Sequence, residues 1–312
     1  MVFWRFVQLP FILFSVYTIT FLLAWQIPGN PLEKEGRRPP PEVVKAMESQ
    51  YNLDKPIVFY GEYAWDASGL AWVFGDHSGP VFNLGPSLRH ENWTVNDILV
   101  SQLPVSMTLG LLAIVLALCI GTTAGVCSAL RPGTWLDAIA IGISVVGISL
   151  PAFVVGVVLL IVFAVWLQWF PISGWGTWRH LVLPSLALSL PFSAYIAQLT
   201  RAGMLEQMKR DHIRTARAKG LPEYRVVLKH ALKNAFLPVL SYLGPATAAA
   251  MTGSFVVEKV FAVPGIGTHF IDAVLGKDIT VLMGIVLVYS CMLVLFNLLV
   301  DVTYQFFDPR PT

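Results

Sequence analysis

Six stretches of this chain are free of Asp, Glu, Lys and Arg: Phe6–Leu32, Ile98–Leu130, Ala138–Trp178, His180–Thr200, Asn234–Val257 and Ile279–Val300. A helix needs about 20 mostly apolar residues to cross the hydrocarbon of a bilayer, and each stretch reaches that length. Inside hydrocarbon a segment must satisfy its own backbone N–H and C=O groups, which a helix does. The expected fold is therefore an all-α integral membrane protein with about six transmembrane helices. Ala138–Trp178 is long enough for one span plus an outer turn, because Gln168, Pro171, Ser173 and Gly174 interrupt its apolar run. Composition agrees: 55% of residues are hydrophobic and 13% charged, against about 25% charged in soluble domains. Arg5 before an apolar run resembles a secretory signal. The run is too long for one, however, and Trp25–Pro31 lacks small residues for cleavage, so a retained first helix is expected.

An even number of spans puts both termini on one side. Arg201–Lys233 carries nine Lys/Arg against three acids, whereas the short connections opposite hold only Arg179, Lys259 and Lys277. A Lys/Arg excess marks the cytoplasmic face. The expected organisation is a first transmembrane helix at 1–27 and an extracytoplasmic cap at 28–102. A five-helix core at 103–303 and a cytoplasmic tail at 304–312 follow. The cap reads as a short helix starting at Pro41 and a second carrying Ile57, Tyr60, Tyr63 and Ala64 at helical spacing. Trp65, Trp72 and Phe74 suit a membrane–water boundary, so the cap is expected to lie on the bilayer surface. Gly121 and Gly125 form a GxxxG that allows close helix approach.

The chemistry that is missing narrows the function. Gly276-Lys277-Asp278 lacks the preceding glycine and the Ser/Thr of a nucleotide-binding loop. No HExxH or GxSxG occurs, and all six histidines lie outside the span interiors. No catalytic residue, resident metal or cofactor is expected, and no nucleic-acid partner. Cys119, Cys127 and Cys291 fall within spans and suggest packing. Ion-driven transporters place ionisable groups at membrane depth. Here the span interiors hold essentially none, and Gln198 and Asn297 are the notable polar groups. The pattern favours a translocation path powered from elsewhere.

The most informative segment is Arg201–Pro238. Asp211 is a plausible N-cap, the Ala-rich centre favours helix, and Gly220 then Pro222 suit its end. The spacing predicts a short helix along the cytoplasmic face, with small residues at 216, 218 and 220 open to another protein. A basic helix touching anionic lipid heads fits equally well. Gly253–Gly267 after the fifth span carries Pro264, Gly265 and Gly267, which suit a backbone reversal at the outer mouth.

Arg214-Thr215-Ala216 through Gly220 resembles the Glu-Ala-Ala-x-x-x-Gly pattern of ABC importer permeases. Arg214 stands where that pattern has Glu, so no role of an acid is carried over. Ile213–Pro222 followed by His230–Pro238 is similar to the peptide branch of the family. So are Trp93–Asp97 with Leu103–Ser106, Leu237–Pro245, Gly253–Gly267, Pro28–Pro31 and Asn52–Pro56. The resemblance covers nearly the whole chain and is nearest to the oligopeptide and dipeptide permease group. It implies the type I importer fold and a coupling helix over Arg214, Thr215, Ala216, Arg217, Ala218 and Gly220. It implies a homologous second permease, two cytoplasmic ATPases that hold the ATP and magnesium, and an extracytoplasmic peptide-binding protein. On this reading the chain is half an oligopeptide path in a bacterial inner membrane and not an enzyme. Glu258, Pro264, Gly265 and Gly267 would form an outer gate or meet the binding protein. A permease for dipeptides, nickel or another small solute, or a stand-alone secondary transporter, are the alternatives.

Overall fold

The computed structural model describes residues 2–28, 40–75, 77, 79–90, 92–252 and 255–307. Glycine 29 to proline 31 of the Pro28–Pro31 block, Gly253, and residues 308–312 of the expected tail lie outside the described residues. Helices α1 (Val2–Gln26), α2 (Pro41–Gln50), α3 (Pro56–Ala67) and α4 (Leu70–Phe74) come first. They are followed by α5 (Val95–Leu130), α6 (Trp135–Ser149), α7 (Ala152–Leu159) and α8 (Trp178–Gln207). Next come α9 (Asp211–Ala218), α10 (Glu223–Arg225), α11 (Leu232–Ala235), α12 (Leu237–Thr252), α13 (Phe255–Val260), α14 (Ile266–Gly276) and α15 (Ile279–Phe307). π-Helical turns over Leu160–Trp166 and Val226–Ala231 extend α7 and join α10 to α11.

Among the described residues, four helices are long and apolar enough to cross a membrane: Gln8–Gln26 of α1, α5, α8, and Ile279–Val300 of α15. Two bent pairs raise the number to six, each counted as one span. The third charge-free stretch, expected as one span plus an outer turn, is bent within the span itself. It breaks at Leu150-Pro151, where α6 and α7 meet at 108°. Proline has no N–H for the ladder, and its ring drives the residue before it out of the helical region. Leu150 accordingly sits at φ −88°, ψ 129°. The fifth stretch bends by 55° at Phe236, between α11 and α12. Pro184 and Pro191 lie inside α8 without ending it, since neighbouring helices can shelter a freed carbonyl.

The chain forms two compact units, one of Phe3–Val105 with Gly265–Met292, the other of Ser106–Pro264 with the chain from Leu293. In the first, α3 runs antiparallel along α1 and not flat across its end, as a surface cap would. Trp25 and Phe21 meet Phe59, and Tyr17 meets Tyr60 and Tyr63. The Tyr17 hydroxyl donates to the Tyr60 carbonyl at 2.5 Å. Phe59 and Tyr63 form the buried face of α3, whereas Ile57 is 85% exposed. Asp278 caps α15, accepting from Thr280 Oγ1 at 2.9 Å and Val281 N at 3.3 Å. It also binds the cap segment through Ser87 Oγ at 2.5 Å. α5 already begins at Val95, ahead of the expected cap boundary at residue 102.

In the second unit α8 is the hub, packed on α6, α7, α11 and α12. Gly121 and Gly125 place α5 on α8: a Cβ at Gly121 would stand 2.5 Å from Ser193 O, and one at Gly125 2.6 Å from Ala197 O. The GxxxG thus serves an intramolecular crossing. Gly203 lets α11 approach in the same way, with Ala235 O 2.6 Å from its would-be Cβ.

Candidate functional site

The basic segment folds as its sequence suggests, with two differences. α9 is a helix from Asp211 to Ala218, but the capping position is held by Arg210, whose side chain makes no cap bond. Asp211 is the first helical residue, where its charge favours the helix N-terminus, and it pairs with Arg214 at 3.4 Å. The second difference is larger. Ile213 and Ala216 are buried, at 0% and 4% exposure. They pack on Ala129, Met204, Val226, Val227, Ala231 and Ala235. Ala216, expected on the face open to a partner, is instead the seam that holds α9 to its own unit. Arg214, Thr215, Arg217 and Ala218 are exposed on the opposite side.

The end of α9 is fixed by backbone geometry. Gly220 has φ +73°, a left-handed conformation that glycine adopts without steric cost. Gly220 N donates to Arg217 O at 2.9 Å and Leu221 N to Ala216 O at 3.4 Å. This is the paired closure of a helix ending in a left-handed residue. Nothing stands within 4 Å of a Cβ built on Gly220, so the constraint on this position is φ alone. Arg217 then bridges the turn, donating Nη2 to Glu223 Oε1 at 2.6 Å and Nε to Oε2 at 3.2 Å. This two-pronged pair fixes α9 against the chain entering α10.

A second charged cluster went unread in the sequence. Arg201 donates Nε to Asp137 Oδ1 and Nη2 to Oδ2, both at 2.8 Å. Asp137 also accepts from Ser128 Oγ, and from Gly133 N at 2.9 Å. Three elements meet here: the end of α5, the start of α6, and α8 as it leads into the basic segment. The only sequence signal was one acid and one base at the edges of separate charge-free stretches, and their pairing depends on which helices are neighbours.

The outer candidates do not gather at a surface. Glu258 is wholly buried, and Gly265 and Gly267 are buried as well. Of the four, Pro264 alone is exposed. The expected reversal is shared between α13 and α14, and its left-handed residue is Ala262 at φ +48°, not a glycine. Val263 N closes it onto Glu258 O at 2.9 Å.

Residues 119–312 match the family described as "Binding-protein-dependent transport system inner membrane component". The dipeptide transport system permease protein DppB of Bacillus subtilis is 40% identical over 306 residues, 98% of this chain and 96% of that protein. The oligopeptide transport system permease protein OppB of Salmonella typhimurium is 41% identical over 300 residues, 96% of this chain and 94% of its own. Among solved structures, an inward-facing MetNI methionine ABC transporter aligns with TM-score 0.57 at 18% identity, covering 68% of this chain and 96% of that one. An amino acid ABC transporter aligns with TM-score 0.52 at 18% identity, over 68% and 94%. These structural likenesses bear on the fold, that of ABC transporter membrane subunits.

Proposed function

Because the chain belongs to the family of binding-protein-dependent transport system inner membrane components, we propose that it is a permease half of an ATP-driven peptide importer. The observation that carries the substrate class is the near-full-length identity to permeases named for dipeptides and oligopeptides, at 40% and 41%. The two values are too close to choose a peptide length, and neither name favours nickel or another small solute. Membership in the family sets aside a stand-alone secondary transporter.

On this reading both termini and α9 are cytoplasmic, and the segment joining α1 to α5 is outside. The chain works beside a homologous permease, two cytoplasmic ATPases that hold ATP and magnesium, and an extracytoplasmic peptide-binding protein. Arg214, Thr215, Arg217, Ala218 and Gly220 present the coupling surface to an ATPase, and Ala216 anchors that surface from within. The Arg201–Asp137 pair stiffens the root of the segment, so that movement of α9 reaches α5, α6 and α8 together. On the outer face, Pro264 remains as the exposed candidate for contact with the binding protein.

Peptide uptake by the assembled transporter in proteoliposomes tests the proposal. Uptake should require ATP inside the ATPase compartment and persist when an ionophore collapses the proton gradient. Uptake that follows the proton gradient and ignores ATP would refute it, as would failure of the chain to copurify with ATPase subunits.

A further inference from the structure

The helices read as spans differ in what they expose. α1 shows Phe11, Phe14, Leu22 and Leu23 outward; α6 shows Ile139, Ile143, Val145 and Val146. Such faces suit lipid tails. α12 is different: Pro238, Ser241, Pro245 and Ala249 are exposed and recur at helical spacing, and no large apolar residue joins them. α8 is buried along most of its length, and in its second half exposes Tyr195, Gln198 and Ala202, with Glu206 following in the last turn, again one face. The two faces adjoin, since the rings of Tyr195 and Tyr242 meet with centroids 4.4 Å apart. Tyr195 is 42% exposed.

A polar, small-residue strip at membrane depth is unsuited to hydrocarbon, and such groups normally face a bundle interior or a water-filled path. The other carboxamide singled out in the spans behaves differently. Asn297 Oδ1 lies 3.0 Å from the would-be Cβ of Gly244 on α12, so it belongs to helix packing. Gln198 and the two tyrosines are left for the strip.

Resting on the transport role above, we propose that Tyr195, Gln198, Ser241, Tyr242 and Pro245 line the translocation path and take peptide by its backbone. Hydroxyl and carboxamide groups both donate and accept, so they match the N–H and C=O of any residue. The ring faces accept varied side chains. None of these five residues carries a charge to fix either terminus, and a site that must release its cargo gains from weak, repeated contacts.

The test uses the full transporter with Cys119, Cys127 and Cys291, all exposed, replaced by Ser. Single cysteines are placed at Gln198, Ser241 and, as a lipid-facing control, Ile143. A charged, water-borne thiol reagent should modify Q198C and S241C but not I143C. Tetra-alanine given with binding protein and ATP should slow that modification. In parallel, Gln198→Leu with Tyr242→Phe should lower uptake about tenfold, equally for tri-alanine and tri-lysine, while the binding protein's affinity stays the same. Strip cysteines as inert as I143C, or found only in disulfides with the second permease, would overturn the proposal. Strip cysteines protected by a non-peptide cargo and not by tetra-alanine would overturn the peptide reading alone and leave a water-filled path.

Discussion

One glycine and one ion pair show how a residue type or a charge can carry the candidate site. Gly220 has open space around it and a left-handed backbone, so any L side chain fits sterically but strains φ by about 1–2 kcal/mol. Gly220→Ala and Gly220→Val are therefore expected to weaken copurification with the ATPase to similar degrees. Gly220→Asn should do less harm, because Asn tolerates that conformation. Equal, undiminished copurification for all three would show that the turn is not needed for coupling. Asp137 and Arg201 make the opposite case, in which geometry and charge both matter. Asp137→Asn should lower both the melting temperature in detergent and uptake. Arg201→Lys keeps the charge but loses the planar fork that meets both carboxylate oxygens, and its effect should be intermediate. An Arg201→Lys variant worse than Asp137→Asn would mean that Arg201 acts through some other partner.

At the scale of elements, α9 is two-sided. Its inner seam of Ile213 and Ala216 belongs to the core, and its outer face belongs to whatever docks there. Overpacking a fitted core site costs about 1–3 kcal/mol, so Ala216→Trp is expected to lower the melting temperature of the isolated chain. Ala218→Trp should leave that temperature alone while cutting ATPase association and uptake together. A lipid-facing helix would reverse the second result, since an aromatic ring is favoured at the membrane interface. The α5–α8 crossing can be tested in the same currency. Gly125→Leu would push a side chain into Ala197 O and the Cβ of Thr200, both 2.6 Å from the would-be Cβ. Loss of folded protein by size-exclusion chromatography is the expected result, and Gly142→Ala in α6, where nothing lies within 4 Å, is a control for the effect of crowding.

The whole molecule is tested by its orientation. A cysteine at Ser49 on α2 should label from outside intact cells, and one at Thr215 on α9 only after permeabilisation. Labelling of Thr215 from outside would invert the topology and remove α9 from the reach of any cytoplasmic ATPase. Ser49 lies away from the groove that Ser68 borders beside Leu9 and Leu13 of α1. That groove exists because α3 doubles back along α1, a packing that makes the outer segment part of a compact unit with the start of α15.

The sequence by itself determined what depends on composition and on local geometry. Charge-free length set the spans, Lys/Arg asymmetry set the expected sidedness, and Gly220 with Pro222 marked the end of α9. What only the tertiary structure decided is which faces meet. Ala216 and Ala218 are identical in propensity and two residues apart, yet one is core and the other surface, because Met204 and Val226 lie on one side only. Glu258 reads as an outer-surface acid until the fold buries it. Leu150-Pro151 could have been carried inside a continuous helix, as Pro184 and Pro191 are, and its sharp break is seen only in the packed structure. Pairings such as Arg201 with Asp137 and Tyr195 with Tyr242 join residues far apart in the chain, so they follow from helix neighbours and not from spacing. A helix encodes its own hydrogen bonds locally, but the identity of its neighbours is fixed by packing the whole chain at once.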